Sequence, residues 1–252
     1  MKNKAIWFMM ILITWQLIYY TGVFDPLIFP SLGQILQALK ESVTSGNIIS
    51  ELIYSIELIS LGMILGIAFS AVLVILSLKS AIFESFVDAM ISIIHPLPGI
   101  ALLPLVILWF GTGSKSVIFI IFHSVLWPLL LNLKTGIKSI PGIYGETAQL
   151  IGVAGIDKFK DIYIPASMPY IIAGLKISWA RAWRALISAE MIFGAAGGKG
   201  GIGWYIFKQR VFMDTPGMFA GLIVIIVTGV IVEELLFTVL EKQTIRKWGM
   251  SK

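Results

Sequence analysis

The chain has 252 residues, of which 58% are hydrophobic and only 13% charged, about half the ~25% charge of an ordinary water-soluble domain, so a soluble globular fold is excluded. It contains no cysteine, which rules out a disulfide framework or a thiolate metal site, and its two histidines leave a thin catalytic inventory. The net charge of +5 is scattered through short loops between apolar runs, where it sets membrane topology and forms no patch for nucleic acid.

The apolar residues gather into runs of about 20, the length that crosses ~30 Å of hydrocarbon at ~1.5 Å per residue. The predicted fold is therefore all-α: one integral membrane domain over residues 1–252, with about six transmembrane helices. The first span, residues 5–20, follows Lys2 and Lys4, as a secretory signal would. It reads as a retained helix, because Thr21-Gly22-Val23-Phe24-Asp25-Pro26 offers no small-residue cleavage pattern and Trp15, Tyr19 and Tyr20 suit an interfacial belt. A polar loop over residues 25–50 should hold a short amphipathic helix from about Leu32 to Val43. The second span, 52–78, contains Gly62-Met63-Ile64-Leu65-Gly66, a small-xxx-small pattern that permits close helix approach.

The third span, 82–110, is interrupted by Pro96, Pro98 and Pro104. It is predicted to be bent, with its freed carbonyls packed against protein or lining a cavity, since they cannot face lipid unpaired. A fourth span, 116–133, is followed by a long segment, 134–165, that is hydrophilic for most of its length. The fifth span, 169–193, precedes a Gly-rich loop, the sixth covers 218–240, and residues 241–252 form a polar tail. With six spans, one set of loops holds Lys2, Lys4, Lys79, Lys134, Lys138, Lys158, Lys160, Lys242, Arg246, Lys247 and Lys252, while the other holds Lys40, Lys115, Lys199, Lys208 and Arg210. The positive-inside rule then puts both termini and the long segment in the cytoplasm. Lys176, Arg181 and Arg184 are left inside the fifth span.

The cytoplasmic segment carries Glu146-Thr147-Ala148, then Gly152 six positions after the glutamate, then Ile162-Tyr163-Ile164-Pro165. It resembles the EAA loop of binding-protein-dependent ABC transport permeases, with Thr147 and Ile164 in place of the usual Ala and Leu. Read from its residues, it is a helix, a glycine turn and a second helix, with Leu150, Ile151 and Val153 offering apolar contacts to a soluble partner. Pro96-Leu97-Pro98, Leu103-Pro104-Leu105, Leu108-Trp109-Phe110-Gly111-Thr112-Gly113, the run from Ala182 to Glu190, Gly201-Ile202-Gly203-Trp204 and Lys247-Trp248-Gly249-Met250 are similar to signatures of the subgroup importing nitrate, sulfonates and taurine.

The resemblance implies a type I ABC importer permease fold, with a cytoplasmic coupling helix, in a prokaryotic inner or plasma membrane. It implies a second permease copy as a homodimer, two cytoplasmic ATPase subunits, and an extracellular or periplasmic substrate-binding protein. Glu146, Ala148, Gly152, Ile162 and Pro165 would couple the ATPase to transport by alternating access. No cofactor is expected on this chain, with ATP and Mg on the ATPase, since no Gly-x-x-x-x-Gly-Lys-[Ser/Thr] loop is present. Gly197-Gly198-Lys199-Gly200 lacks the Ser or Thr and reads as a flexible or docking loop, or a plain connector.

At ~100° per residue, Gly174, Ser178, Arg181, Arg184, Ala185 and Ser188 share a small, polar face of the fifth span, with Trp179, Trp183 and Glu190 roughly opposite. Arg181, Arg184, Ser178 and Ser188, with Pro96 and Pro98, are the candidate pathway residues for a small anionic solute. The arginines could equally pair with Glu57 of the second span or with carbonyls freed in the third, since an arginine at bilayer depth requires an acceptor. Glu233 lies near a membrane edge. His95 and His123 could form a proton relay or be polar residues satisfied by helix kinks or water. Two other functions compete: a secondary transporter, which would usually show repeated halves, and a membrane-anchor subunit, which would leave Arg181 and Arg184 unexplained.

Overall fold

A computed structural model describes residues 2–153, 155–194 and 199–247, and among these the chain is helical with no strand. Gly197, Gly198, Trp248, Gly249, Met250 and Lys252 lie outside the described residues. The helices in chain order are α1 (Lys2–Tyr20), α2 (Leu32–Thr44), α3 (Asn47–Lys79), α4 (Ala81–Ile94), α5 (Leu103–Phe110), α6 (Ser114–Lys138), α7 (Gly142–Leu150), α8 (Gly155–Lys158), α9 (Ile164–Phe193), α10 (Ile202–Val211), α11 (Thr215–Ile231) and α12 (Phe237–Glu241). A 3₁₀ turn, Gly99–Leu102, leads into α5, and π turns occupy Phe159–Tyr163, Val232–Leu236 and Lys242–Arg246.

Among the described residues, three helical stretches are long and apolar enough to cross a membrane unaided: Asn47–Lys79, Ser114–Lys138 and Thr215–Arg246. The pair Ala81–Ile94 and Gly99–Phe110 makes a fourth if its 88° bend lies within one span. The bend falls where the proline pattern predicts it, because neither Pro96 nor Pro98 can donate the backbone hydrogen bond that continues a helix. The other two predicted spans are weaker by composition. The apolar part of α1, Ile6–Tyr20, is short, and the 30 residues of α9 carry Lys176, Arg181, Arg184 and Glu190.

Apolar side chains lie on the outside. Ile6, Trp7, Phe8 and Ile11 of α1, Ile64 and Phe69 of α3, and Ile226 and Val230 of α11 are exposed. Apolar exposure on this scale is untenable in water and is what hydrocarbon accommodates.

The chain forms two compact units, one of residues 1–57 with 187–228, the other of residues 58–186 with 229–252. In the first, Trp15 stacks on Phe29 at 4.0 Å between ring centroids and donates its indole N–H to the Pro30 carbonyl at 3.0 Å. Ser31 starts α2 with a capping box: its hydroxyl accepts from the Gln34 N–H, and its own N–H donates to the Gln34 side chain at 2.8 Å. The Ser42 and Tyr205 hydroxyls, 2.6 Å apart, tie α2 to α10.

In the second unit α6 is the axis of packing, and glycine sets the approach of its neighbours. A Cβ on Gly62 would lie 2.4 Å from Ile121 Cγ2, and one on Gly66 would lie 2.6 Å from Val125 Cγ1. The small-xxx-small pattern of α3 therefore docks on α6, and Ser70, one turn on, donates to the carbonyls of Gly66 and Leu126. On the α9 side, Gly136 meets Tyr170 and Ser167, and Gly174 meets Asn132 and Leu129. At one end of α6, Lys134 reaches Asp88 at 2.5 Å and Lys138 reaches Glu84 at 2.7 Å, clamping α4 through two acids and two bases, each pair one turn apart. Helix α6 thus runs five residues beyond the predicted fourth span, since Lys134 finds its partners on α4 and has no need of a loop.

Candidate coupling and translocation sites

Helix α7 carries Glu146, exposed, and Ala148, fully buried. It ends at a Schellman motif: the Val153 N–H donates to the Ala148 carbonyl at 2.8 Å and the Gly152 N–H to the Gln149 carbonyl at 3.2 Å. Gly152 has φ +74°, in the left-handed region that a side chain disfavours, and this accounts for glycine six residues after the glutamate. The motif leaves Ile143, Leu150 and Ile151 on the surface, Leu150 at 87% exposure.

The chain then folds back. The Lys158 ammonium lies 5.5 Å from the Tyr163 ring centre and reaches the Gly145 carbonyl at 3.5 Å. Pro165 has no N–H for the Asp161 carbonyl, and the preceding turn widens to the π form, the Ile164 N–H donating to the Phe159 carbonyl five residues back. Ile162 is half-buried in that turn. All five predicted coupling residues therefore fall in one segment, of which Ala148 and Gly152 shape the turn and Pro165 opens α9.

The bend of the third span rests on α6. A Cβ on Gly99 would lie 2.6 Å from Ser124 Oγ, 3.3 Å from the Ile120 carbonyl and 3.5 Å from His123 Nδ1, so only glycine fits. His95 precedes Pro96 at the bend. The bend and α6 are thus brought together within the second unit. Arg181 is half-buried and Arg184 exposed. Ser178, on the same predicted polar face, is fully buried and donates to the Val125 carbonyl at 3.2 Å, in the contact of α9 with α6. Gly174 is there too, so the start of that face packs on α6. On the opposite face, Trp179 and Trp183 stack at 5.7 Å, and Lys176 pairs with Glu241. Ser188 is half-buried in the first unit. Glu57 is exposed, in the first unit, and lines a cleft of about 370 Å³ with Ser50, Tyr54 and Lys199. His123 is buried with neither ring nitrogen hydrogen-bonded among the described residues.

Sequence reasoning missed a polar centre in the first unit. Glu190, 3% exposed, accepts from the Ser55 hydroxyl at 2.7 Å and from the Gly203 N–H at 2.9 Å, while Ser55 accepts from the Ile202 N–H at 2.9 Å. A buried carboxylate requires such donors, and these anchor the start of α10. A Cβ on Gly201 would lie 2.0 Å from Glu190 Oε1, and one on Gly203 would lie 2.5 Å from the Ile187 carbonyl. Gly201-Ile202-Gly203 was the available signal: two glycines flanking one residue at a helix start mark a close approach of backbone to something.

The model of the family described as binding-protein-dependent transport system inner membrane component matches residues 59–246, three quarters of the chain. The chain belongs to this family. A Bacillus subtilis protein that carries the name aliphatic sulfonates transport permease is 30% identical over 241 residues, covering 96% of this chain and 85% of that protein. The taurine transport system permease protein of Escherichia coli is 25% identical over 228 residues, covering 88% and 82%. A nitrate import permease protein of Synechococcus elongatus is 34% identical over 120 residues, covering 48% and 42%. The chain is accordingly a multi-pass inner-membrane transport permease, and its matched region takes in α3 from Ile59, the bent third span, the α7 segment and both arginines.

Proposed function

We propose that this permease forms the translocation pathway of an ATP-driven importer for a small solute carrying an anionic group, with α7 and its glycine turn receiving the stroke of a cytoplasmic ATPase. The observation that carries the reading is the α7 segment itself. A Schellman-capped helix holds Leu150 and Ile151 exposed at the end of a surface tied back to α9 through Lys158, Tyr163 and Pro165. Exposed aliphatic side chains on a rigid turn favour a protein partner, and the connection into α9 gives movement of that partner a path to Arg181 and Arg184.

ATP and Mg belong to two partner ATPase subunits, a second permease copy completes the pathway, and an external binding protein delivers substrate. Both termini and α7 lie on the cytoplasmic side in this reading, as the lysine distribution requires. Arginine presents a planar fork of donors suited to carboxylate, sulfonate or nitrate oxygens. The relatives named for sulfonates, taurine and nitrate support an oxyanion-bearing solute.

The chain has no native cysteine, so a single Leu150→Cys variant can be cross-linked to the cognate ATPase without background. The expected result is an ATPase adduct from position 150 and none from a cysteine at Ile6 on the outer face of α1. Equal cross-linking at both positions, or none at 150, would refute the docking role of α7.

A further inference from the structure

The second unit holds a cavity of about 220 Å³ between α3, α6 and the chain from Phe159 to Leu175. Its wall is hydrocarbon, including Ile67, Ala71, Leu129, Phe159 and Ile171, and the hydroxyl of Ser167 is turned away onto the Tyr163 carbonyl at 2.6 Å. Water has too few polar partners to settle there. Ile67, Ala71 and Ile75 line the cavity and are also exposed on the outer side of α3, so it communicates with the lipid-facing surface.

We propose that this cavity binds one acyl chain of a membrane phospholipid, inserted between α3, α6 and α9 against the residues that lead out of the coupling segment. A hydrocarbon tail suits it better than a protein segment: an extended peptide at membrane depth would bring backbone donors and acceptors that the wall cannot satisfy, and a helix, ~10 Å across, is too wide to enter a cavity of about 220 Å³. The volume accommodates several methylene groups, and the surrounding helices α3 and α6 are membrane-crossing ones, so the occupant comes from the bilayer.

The position gives the site a regulatory consequence, which rests on the coupling role proposed above. Phe159, Tyr163 and Ile164 line the cavity and form the π turn and helix start just before Pro165. An inserted chain fills the space into which that widened turn would otherwise relax, and so stiffens the link from α7 to α9.

The test uses the full permease in nanodiscs of phosphatidylglycerol carrying a diazirine midway along one acyl chain. Photolabelled peptides should concentrate on Ile67–Ile75 and Phe159–Leu175, at least threefold above the exposed residues 6–11 of α1. In Ala71→Phe, which plugs the mouth from a partly exposed position, labelling of the wall should fall to the α1 level while α1 labelling is unchanged; Ala71→Leu serves if the larger side chain reduces yield. Wall labelling no higher than α1, or unchanged in both variants, overturns the site. Labelling of the wall by a diazirine fatty acid but not by the phospholipid overturns the assigned source. With the ATPase and binding protein present, Ala71→Phe should change substrate-stimulated ATP hydrolysis at least twofold, and an unchanged rate in a plugged, active complex overturns the regulatory role. Loss of ATP-driven uptake by the unaltered permease would instead count against the importer reading and leave the labelling result standing.

Discussion

Replacing Glu190 tests whether the start of α10 is held by a single carboxylate. Its two oxygens take the Ser55 hydroxyl at 2.7 Å and the Gly203 N–H at 2.9 Å, and the residue is 3% exposed. Alanine would strand both donors away from water, at ~1–3 kcal/mol each, so a loss of about 2–6 kcal/mol is expected. Glutamine offers one acceptor oxygen and places an N–H₂ group against the other donor, so its expected cost is about half that. The glycines supply an internal control. A Cβ at Gly201 would lie 2.0 Å from Glu190 Oε1 and 2.4 Å from Ser55 Oγ, so Gly201→Ala alone must displace the carboxylate. Combined with Glu190→Ala the displaced group is gone, and the double variant should be less destabilised than the sum of the single ones by at least ~1 kcal/mol. Thermal unfolding of purified protein in detergent gives the four stabilities, and hydrogen exchange over Ile202–Val211 reports whether α10 itself loosens. Stability of Glu190→Ala within ~0.5 kcal/mol of the unaltered chain, the range of an ordinary surface change, would refute the reasoning.

Gly66→Ala should cost ~1–3 kcal/mol, because its new methyl would lie 2.6 Å from Val125 Cγ1 in the α3 contact with α6. Gly142→Ala, with nothing within 4 Å, should be neutral in the same unfolding assay. Arg181→Gln and Arg184→Gln should each lower substrate-stimulated uptake by about 10-fold or more, the worth of a charge-assisted hydrogen bond of ~1.5–3 kcal/mol, while the complex with ATPase and binding protein stays intact. Unchanged uptake in both would remove the arginines from the pathway.

What the sequence made legible were features that a single local rule decides. Pro96 and Pro98, two residues apart, remove two donors from one turn, and the structure bends there by 88°, whereas the single Pro128 and Pro169 stay inside α6 and α9. Gly62 and Gly66 announce a close approach, and Ile121 and Val125 are what approaches. Gly152 was legible twice over, as part of a family pattern and as the left-handed residue that a Schellman motif requires. Contacts between residues far apart in the chain were not legible. Glu190 and Ser55 are 135 positions apart, and nothing in either neighbourhood names the other. Lys134 looked like the first residue of a polar loop because its acids, Glu84 and Asp88, lie on another helix. The helical wheel gathers Ser178 with the arginines, yet a wheel gives a face and not what covers it, and the Ser178 part of that face is occupied by α6.

In the proposed function, movement of an ATPase reaches the pathway through the turn at Gly152. The measurement that tests it most directly is paired uptake and ATP hydrolysis in proteoliposomes containing the permease, its ATPase and its binding protein, for the unaltered chain and for Gly152→Leu. Gly152 has φ +74°, and a Cβ at this position would have no neighbour within 4 Å. Leucine therefore meets no clash at its Cβ and acts by disfavouring the left-handed turn, at a cost of ~1–2 kcal/mol. The expected result is ATP-dependent uptake by the unaltered complex, and a variant complex that still assembles and hydrolyses ATP but imports little. Uptake by the permease without its ATPase, or full ATP-driven uptake by Gly152→Leu, would contradict it.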